Sequence, residues 1–247
     1  MKLTILGSGD AFSSGARLPS CYALESGDHR ILIDCGPAIL PALKRAGLSG
    51  NRYSHIVISH LHGDHFAGLP FFLIDAMFPS KRQEPLTLIG PPGLEVRLRL
   101  AFEVMYPRMS DTERKYDLHF IEIEKETPLD VAGFRVTAYE VDHYSGAPSY
   151  ALRFERGDKI FAFSGDSGWT DNLIRVGQGA DLYLMECYQF DLDLPMHLTY
   201  KRIDSEFHAI GAKKIMLTHM ADAMLAKLDQ VDSSRYLIAD DGMTLSI

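Results

Sequence analysis

The sequence predicts an α+β domain made of two similar sheet-and-helix halves, and three observations carry that prediction. In the first half, short apolar runs rich in β-branched residues alternate with segments of helical spacing. In the second half, runs of alternating apolar and polar residues stand at hairpin distance from one another. In both halves several apolar runs stop at a His or Asp, which gathers polar groups at one end of the strands, where α/β folds usually carry their chemistry.

In chain order, Leu3 to Leu6 reads as a strand that ends in Gly7-Ser8-Gly9-Asp10. A lone Gly-x-Gly without a third glycine and a following helix is a turn before it is a phosphate cradle. Cys21 to Glu25 and Arg30 to Asp34 read as strands joined through Ser26-Gly27-Asp28, a hairpin closed by Asp34-Cys35-Gly36. Pro37 at a first helical position, Ile39, Leu40 and Leu43 on one face, and Gly47 just past the end predict a short amphipathic helix. His55 to Ser59 is a buried strand, and the apolar stretch from Phe66 through Phe78 packs as a helix. Leu86 to Ile89 is a strand, and Gly90-Pro91-Pro92-Gly93 turns into a helix through Met105 whose core positions are Leu94, Leu98, Ala101, Phe102 and Met105.

The charged segment Ser110 to Lys115 reads as a solvated connection. After it the pattern changes. Leu118 to Ile123, Phe134 to Val141, Tyr150 to Phe154 and Ile160 to Phe163 are the strands expected to form the second sheet. Helix-sized segments near Asp171 to Val176 and Tyr200 to Ile210 then alternate with the strands Leu182 to Met185 and Lys214 to Leu217. No linker rich in Pro, Gly or Ser divides the chain and no solenoid period repeats, so residues 1–247 are expected to form one domain.

Of the 247 residues, 46% are hydrophobic and 23% charged, the balance of a globular protein with a sizeable core. The net charge of −8 argues against broad binding to long nucleic acids, which needs a basic surface. It leaves room for a small anionic substrate held by metals, because a dinuclear centre supplies about four positive charges where they are needed. Three sparse cysteines, Cys21, Cys35 and Cys187, fit neither a disulfide framework nor a zinc knuckle and point to a reducing cytoplasm. No signal-peptide pattern opens the chain and no apolar run is long enough to span a membrane, so a soluble protein is expected.

The chemistry is concentrated in His60-Leu61-His62-Gly63-Asp64-His65. Three imidazoles and a carboxylate in six residues are hard to hold together unless a cation pairs with them. On so tight a loop His60 and His62 can face one ion while Asp64 and His65 face another. Two ions at four or five coordination, sharing a water, need about seven protein ligands. His143, Asp166 and His219, each at the end of an apolar run, supply the other three.

These residues resemble the metallo-β-lactamase-fold hydrolases, whose His-x-His-x-Asp-His signature stands here as His60 to His65 and whose later motifs match His143, Gly165-Asp166 and His219 in order. The resemblance implies an αββα sandwich with the metal site at one edge between two sheets. It implies that His60, His62 and His143 hold one metal, that Asp64, His65 and His219 hold the other, and that Asp166 bridges them. Met196-His197-Leu198-Thr199 before a helix, Glu186 at the end of the preceding strand, and the ending Asp240-Asp241-Gly242-Met243 look like the ribonuclease Z branch and its PhnP-type phosphodiesterase relatives. Departures narrow the choice. Ser13 to Leu18 keeps only the Arg of the ribonuclease Z Pro-x-Lys-x-Arg-Asn loop, only 23 positions separate His143 from Asp166 where that branch carries its tRNA-gripping arm, the PhnP cysteine cluster is absent, and Met185 replaces the His of the His-Glu-Ala-Thr motif.

The resemblance therefore implies a metal-dependent hydrolase, with a phosphodiesterase acting on a small, cyclic or nucleotide-like phosphodiester as the leading reading and tRNA as an unexpected substrate. A water shared by two ions would attack phosphorus in line, with Asp64, His197 and Glu186 as candidate catalytic residues: His197 protonates the leaving alkoxide and Glu186 orients His197. Zinc is the expected metal, with manganese or iron as alternatives for a mixed His and Asp site. The other readings are a lactonase or thioesterase of the same fold and a ribonuclease Z-like enzyme without the tRNA arm. Arg17 meets a phosphate or sits on a loop, and His29, His55, His119 and His208 are structural. The apolar run from Phe66 to Phe78 leaves enough over for a subunit interface, so a two-fold homodimer is expected.

Overall fold

The computed structural model describes residues 1–109 and 112–247. The expected connection from Ser110 to Lys115 falls partly outside them, at Ser110 and Asp111; within it Glu113 and Lys115 are exposed. The strands are β1 (Lys2–Gly7), β2 (Cys21–Ser26), β3 (His29–Ile33), β4 (His55–Val57), β5 (Leu86–Gly90), β6 (Leu118–Glu122), β7 (Leu129–Val131), β8 (Phe134–Val141), β9 (Ser149–Arg156), β10 (Lys159–Phe163), β11 (Leu182–Glu186), β12 (Ile215–Thr218), β13 (Tyr236–Ile238) and β14 (Thr244–Ser246). The helices are α1 (Ile39–Arg45), α2 (Gly63–Phe66), α3 (Leu69–Met77), α4 (Leu94–Met105), α5 (Asn172–Gly177), α6 (Tyr200–Ser205), α7 (Phe207–Ile210) and α8 (Asp222–Leu225).

Two seven-stranded sheets form, in the orders β14-β1-β2-β3-β4-β5-β6 and β13-β12-β11-β10-β9-β8-β7. Each has an antiparallel part, β14 to β3 in one and β7 to β10 in the other. Each continues as a parallel part, β3 to β6 and β10 to β13, whose crossovers carry the helices. The sheets face each other across a core in which Leu3, Ile31, Ile33 and Val57 from one meet Phe134, Phe154, Phe161 and Leu184 from the other. Alternate residues on the same strands, such as Leu32 and Ile56, point outward to Ile39, Leu69, Phe72 and Phe102 of the helices. On the far side Ala162, Tyr183 and Leu217 meet Leu173, Val176, Ile203 and Ile210. Burial on both faces is why these strands read as continuous apolar runs. The layers are helices, sheet, sheet, helices: the αββα sandwich of the metallo-β-lactamase fold.

Several elements differ from expectation. The pattern places Leu118 to Ile123 in the second sheet, yet β6 pairs parallel with β5 at the edge of the first, because α4 carries the chain over as a β-α-β crossover. Pro37 lies in a turn and the helix begins at Ile39, whose N–H donates to Gly36 O. The metal loop runs into a helical turn of its own, α2, after which Gly68 precedes α3, so Phe66 to Phe78 is not one helix. The segment from Tyr200 to Ile210 breaks at Glu206, which leaves helical geometry with φ −101°. Phe66, Leu69, Phe72, Leu73 and Ala76 are buried, so this run is spent largely on the core and only Phe78 is plainly exposed.

Candidate metal centre

One end of the sandwich collects the polar strand ends. Asp34 follows β3, His60 follows β4, His143 follows β8, Asp166 follows β10, Glu186 ends β11 and His219 follows β12. Sharp backbone turns aim them inward: Asp34 and His219 adopt the left-handed region at φ 57° and 55°. Gly165, at φ 59°, takes the same region immediately before Asp166, where a Cβ would lie 2.8 Å from Tyr150 O.

All seven residues named as ligands from the sequence come together there, in two groups able to hold a metal ion. One is His60, His62 and His143; the other is Asp64, His65, Asp166 and His219. In the second group His65 Nε2 stands 3.2 Å from Asp64 Oδ2, 3.3 Å from Asp166 Oδ1 and 3.4 Å from His219 Nε2. His219 Nε2 stands 3.1 Å from Asp64 Oδ2 and 3.4 Å from Asp166 Oδ2. Four donors set tetrahedrally about 2.0–2.1 Å from a cation are about 3.3–3.4 Å apart, so these spacings fit a zinc-sized ion. In the first group His143 Nε2 lies 2.9 Å from His62 Nδ1, and the fully buried His60 Nε2 has no hydrogen-bond partner among the described residues. An orphaned nitrogen of this kind is costly to bury unless a cation takes its lone pair. Asp166 Oδ2 faces both groups, 3.9 Å from His60 Nε2 and 4.0 Å from His143 Nε2.

Hydrogen bonds behind the cluster fix which nitrogen each ring presents. His65 Nδ1–H donates to Asp34 Oδ2 at 2.7 Å, and His143 Nδ1–H to Met196 O at 2.9 Å. Ser59 Oγ–H donates to Asp34 Oδ2 and so accepts from His60 Nδ1–H at 3.1 Å. These bonds leave Nε2 of all three rings as a lone pair pointing into the site. Asp34, Ser59 and the Met196 carbonyl were not anticipated. Asp34 carries the same sequence signal as the seven ligand candidates, a carboxylate where an apolar run stops, and that position also suits the close of a hairpin.

The charges agree with this arrangement. Burial pushes His60, His62 and His143 below the ordinary imidazole value, so these three are neutral donors. Burial opposes charge on His65 and His219 as well, but Asp166 and Asp64 outweigh it, and His219 is pushed up to about 9. Burial alone would raise the Asp64 and Asp166 carboxyls, yet His65 and His219 hold both below the usual range. Two ionised carboxylates in a buried site demand positive charge, which protons or a cation can supply; cation binding displaces the protons.

His197 sits beside the first group, its ring centroid 5.1 Å from that of His143 and 4.7 Å from that of Tyr188. Its Nδ1 is hydrogen-bonded to Glu186 Oε1, and Glu186 is fully buried, with Ser167 N–H and Leu198 N–H on its other oxygen. Burial opposes charge on His197, but the Glu186 carboxylate raises it above the ordinary imidazole value. Glu186 Oε1 also lies 3.8 Å from His219 Nδ1. Arg17 pairs with Asp240, 3.6 Å away. His29 Nδ1–H donates to Ala132 O, outside the site.

Comparison with known proteins agrees with the fold. The structure superposes on the human short-form tRNase Z with a TM-score of 0.79 at 26% identity, covering 100% of this chain and 99% of that one. The metallo-β-lactamase fold protein YhfI of Bacillus subtilis gives the same TM-score at 22% identity, over 99% of both chains. Ribonuclease Z of Geobacillus kaustophilus is 35% identical over 161 residues, which is 64% of this chain but only 50% of that protein. Ribonuclease Z of Methanosarcina acetivorans is 24% identical along 100% of this chain and 98% of its own length. The family model described as "Anti-Pycsar protein Apyc1" matches residues 1–241, and the chain belongs to that family.

Proposed function

We propose that this protein is a metal-dependent phosphodiesterase that hydrolyses a small phosphodiester, cyclic or nucleotide-like, at the paired donor groups. The observation that carries the reading is Asp166 Oδ2 facing both groups at once, with His197 held beside them by Glu186. His60, His62 and His143 would hold one ion, Asp64, His65 and His219 the other, and Asp166 both. When bound, two divalent cations supply an activated water and neutralise charge on the phosphate oxygens. The chain's own part is to hold the donors in fixed tautomers through Asp34, Ser59 and the Met196 carbonyl. Glu186 holds the proton on His197 Nδ1, so that Nε2–H is the group offered to the leaving oxygen. Zinc is the metal we favour, from the spacing of the four-donor group and the number of imidazoles; manganese and iron also suit such a set.

A small substrate is favoured over tRNA because the interval from His143 to Asp166 carries only the hairpin of β9 and β10, and the net charge is −8. The named relatives that are ribonuclease Z keep precursor tRNA as the second reading. Assay of metal-loaded protein against bis-p-nitrophenyl phosphate, a cyclic nucleotide, a precursor tRNA, an acyl-homoserine lactone and a thioester separates the readings. Turnover of the two small diesters, with none of the lactone or thioester, is expected. Lactone or thioester hydrolysis without diester turnover would overturn the proposal.

A two-fold homodimer is part of the proposal. Its best support is the row Val96, Leu100 and Val104, exposed at 65%, 65% and 81% one turn apart on α4, with Phe78 exposed at the end of the neighbouring α3. Light scattering at micromolar concentration should give a dimer, and Leu100→Glu with Val104→Glu a monomer that keeps its fold. A monomeric wild type would remove this part. Three buried, unpaired cysteines fit the reducing cytoplasm that we propose as its location. Among the described residues no helix is long and apolar enough to cross a membrane.

A further inference from the structure

The three imidazoles of the first group come from two loops, one on each sheet. His60 and His62 follow β4, and His143 follows β8. Apart from the imidazoles themselves, the loops meet through Leu61 N–H donating to Ser145 Oγ at 3.3 Å. A third element spans them. Arg97, on α4, donates from Nη1 to Leu61 O at 2.9 Å and to Ser145 O at 2.6 Å. Leu61 lies between the two His residues of one loop, and Ser145 two residues beyond the His of the other. Gly146 makes the room for this contact: its φ is +79°, and a Cβ there would lie 2.5 Å from Arg97 Nη2.

We infer that Arg97 is a positioning residue that clamps the two loops and so sets the spacing of His60, His62 and His143, one of the two groups of the proposed centre. The guanidinium is half-buried and, among the described residues, its partners are these two carbonyls and no carboxylate. A charged donor shared by two carbonyls is a strong, directional tie. In the second group His65 is also held by Asp34, and Asp166 and His219 follow β10 and β12, so among the described residues Asp64 alone shares the clamped loop without a support of its own. The clamp therefore bears most directly on the first group, two of whose imidazoles flank Leu61 and the third of which stands two residues before Ser145. This inference rests on the two-ion reading of the centre.

The test is stepwise zinc titration by calorimetry, with elemental analysis, on the full chain of the wild type and of Arg97→Met, Arg97→Lys and Gly146→Ala. Arg99→Met is the control, since Arg99 pairs with Glu95 on the same helix. In the wild type two ions should bind. Arg97→Met keeps the aliphatic stem and loses the donors, so one step should weaken about 10–100-fold, as loss of an outer hydrogen-bond partner does, while the other stays. Gly146→Ala, which displaces the guanidinium, should weaken the same step, and Arg97→Lys should recover part of the loss. The retained step also reports that the variants are folded. Two unchanged steps in Arg97→Met would overturn the inference, as would equal weakening of both. A wild type that binds fewer than two ions would overturn the two-ion reading, and the clamp with it.

Discussion

Replacing Asp166 with alanine is expected to lower metal uptake at both groups and to cost more than about 10³-fold in diester turnover. Removal of one preorganised electrostatic group already costs about 10²–10³-fold in an active site, and Asp166 touches two. Its Oδ1 lies 3.3 Å from His65 Nε2, and its Oδ2 lies 3.4 Å from His219 Nε2, 3.9 Å from His60 Nε2 and 4.0 Å from His143 Nε2. By contrast, His60→Ala should remove one ion and leave the four-donor group able to fill. Elemental analysis after reconstitution with zinc or manganese should find two ions per wild-type chain, one in His60→Ala, and a substoichiometric, weakly held content in Asp166→Ala. An Asp166→Ala protein that kept both ions at full affinity would remove Asp166 from the shared position, whatever its activity.

The seven residues of this candidate centre are legible because their chemistry is unusual for their setting. Three imidazoles and a carboxylate between His60 and His65 stand out against any ordinary loop, and His143, Asp166 and His219 each break an apolar run. The supports were harder to read, for physical reasons. Ser59 acts through its hydroxyl and Met196 through its carbonyl, and a backbone group leaves no mark in the residue type. Arg97 lies 36 positions from Leu61 and 48 from Ser145, and only the fold brings them together. The strands β7, β13 and β14 have three residues each, too few to show a period of two, and what holds them is pairing with a longer neighbour. The split between α6 and α7 at Glu206, and the membership of β6 in the first sheet, are likewise decided by tertiary packing over local pattern.

His197→Ala is expected to leave metal content intact and to cost about 10²–10⁴-fold in turnover of a diester with a poor, alkyl-type leaving group. The geometry supports a donor role because Glu186 occupies Nδ1 and leaves Nε2 for the substrate side, beside His143 at 5.1 Å between ring centroids. The loss should shrink for p-nitrophenolate, which departs readily without a proton. The pH profile follows from the same contact. Glu186 outweighs burial and raises His197 above the ordinary imidazole value, so the donor keeps its proton to higher pH than a free imidazole does. Turnover of the alkyl diester should therefore fall on the alkaline side as His197 deprotonates. That limb should be absent in His197→Ala and should move to lower pH in Glu186→Gln, which removes the charge that holds the proton. Equal losses for both leaving groups, with an unchanged alkaline limb, would mean that His197 binds or orients the substrate and that the leaving oxygen takes its proton from elsewhere.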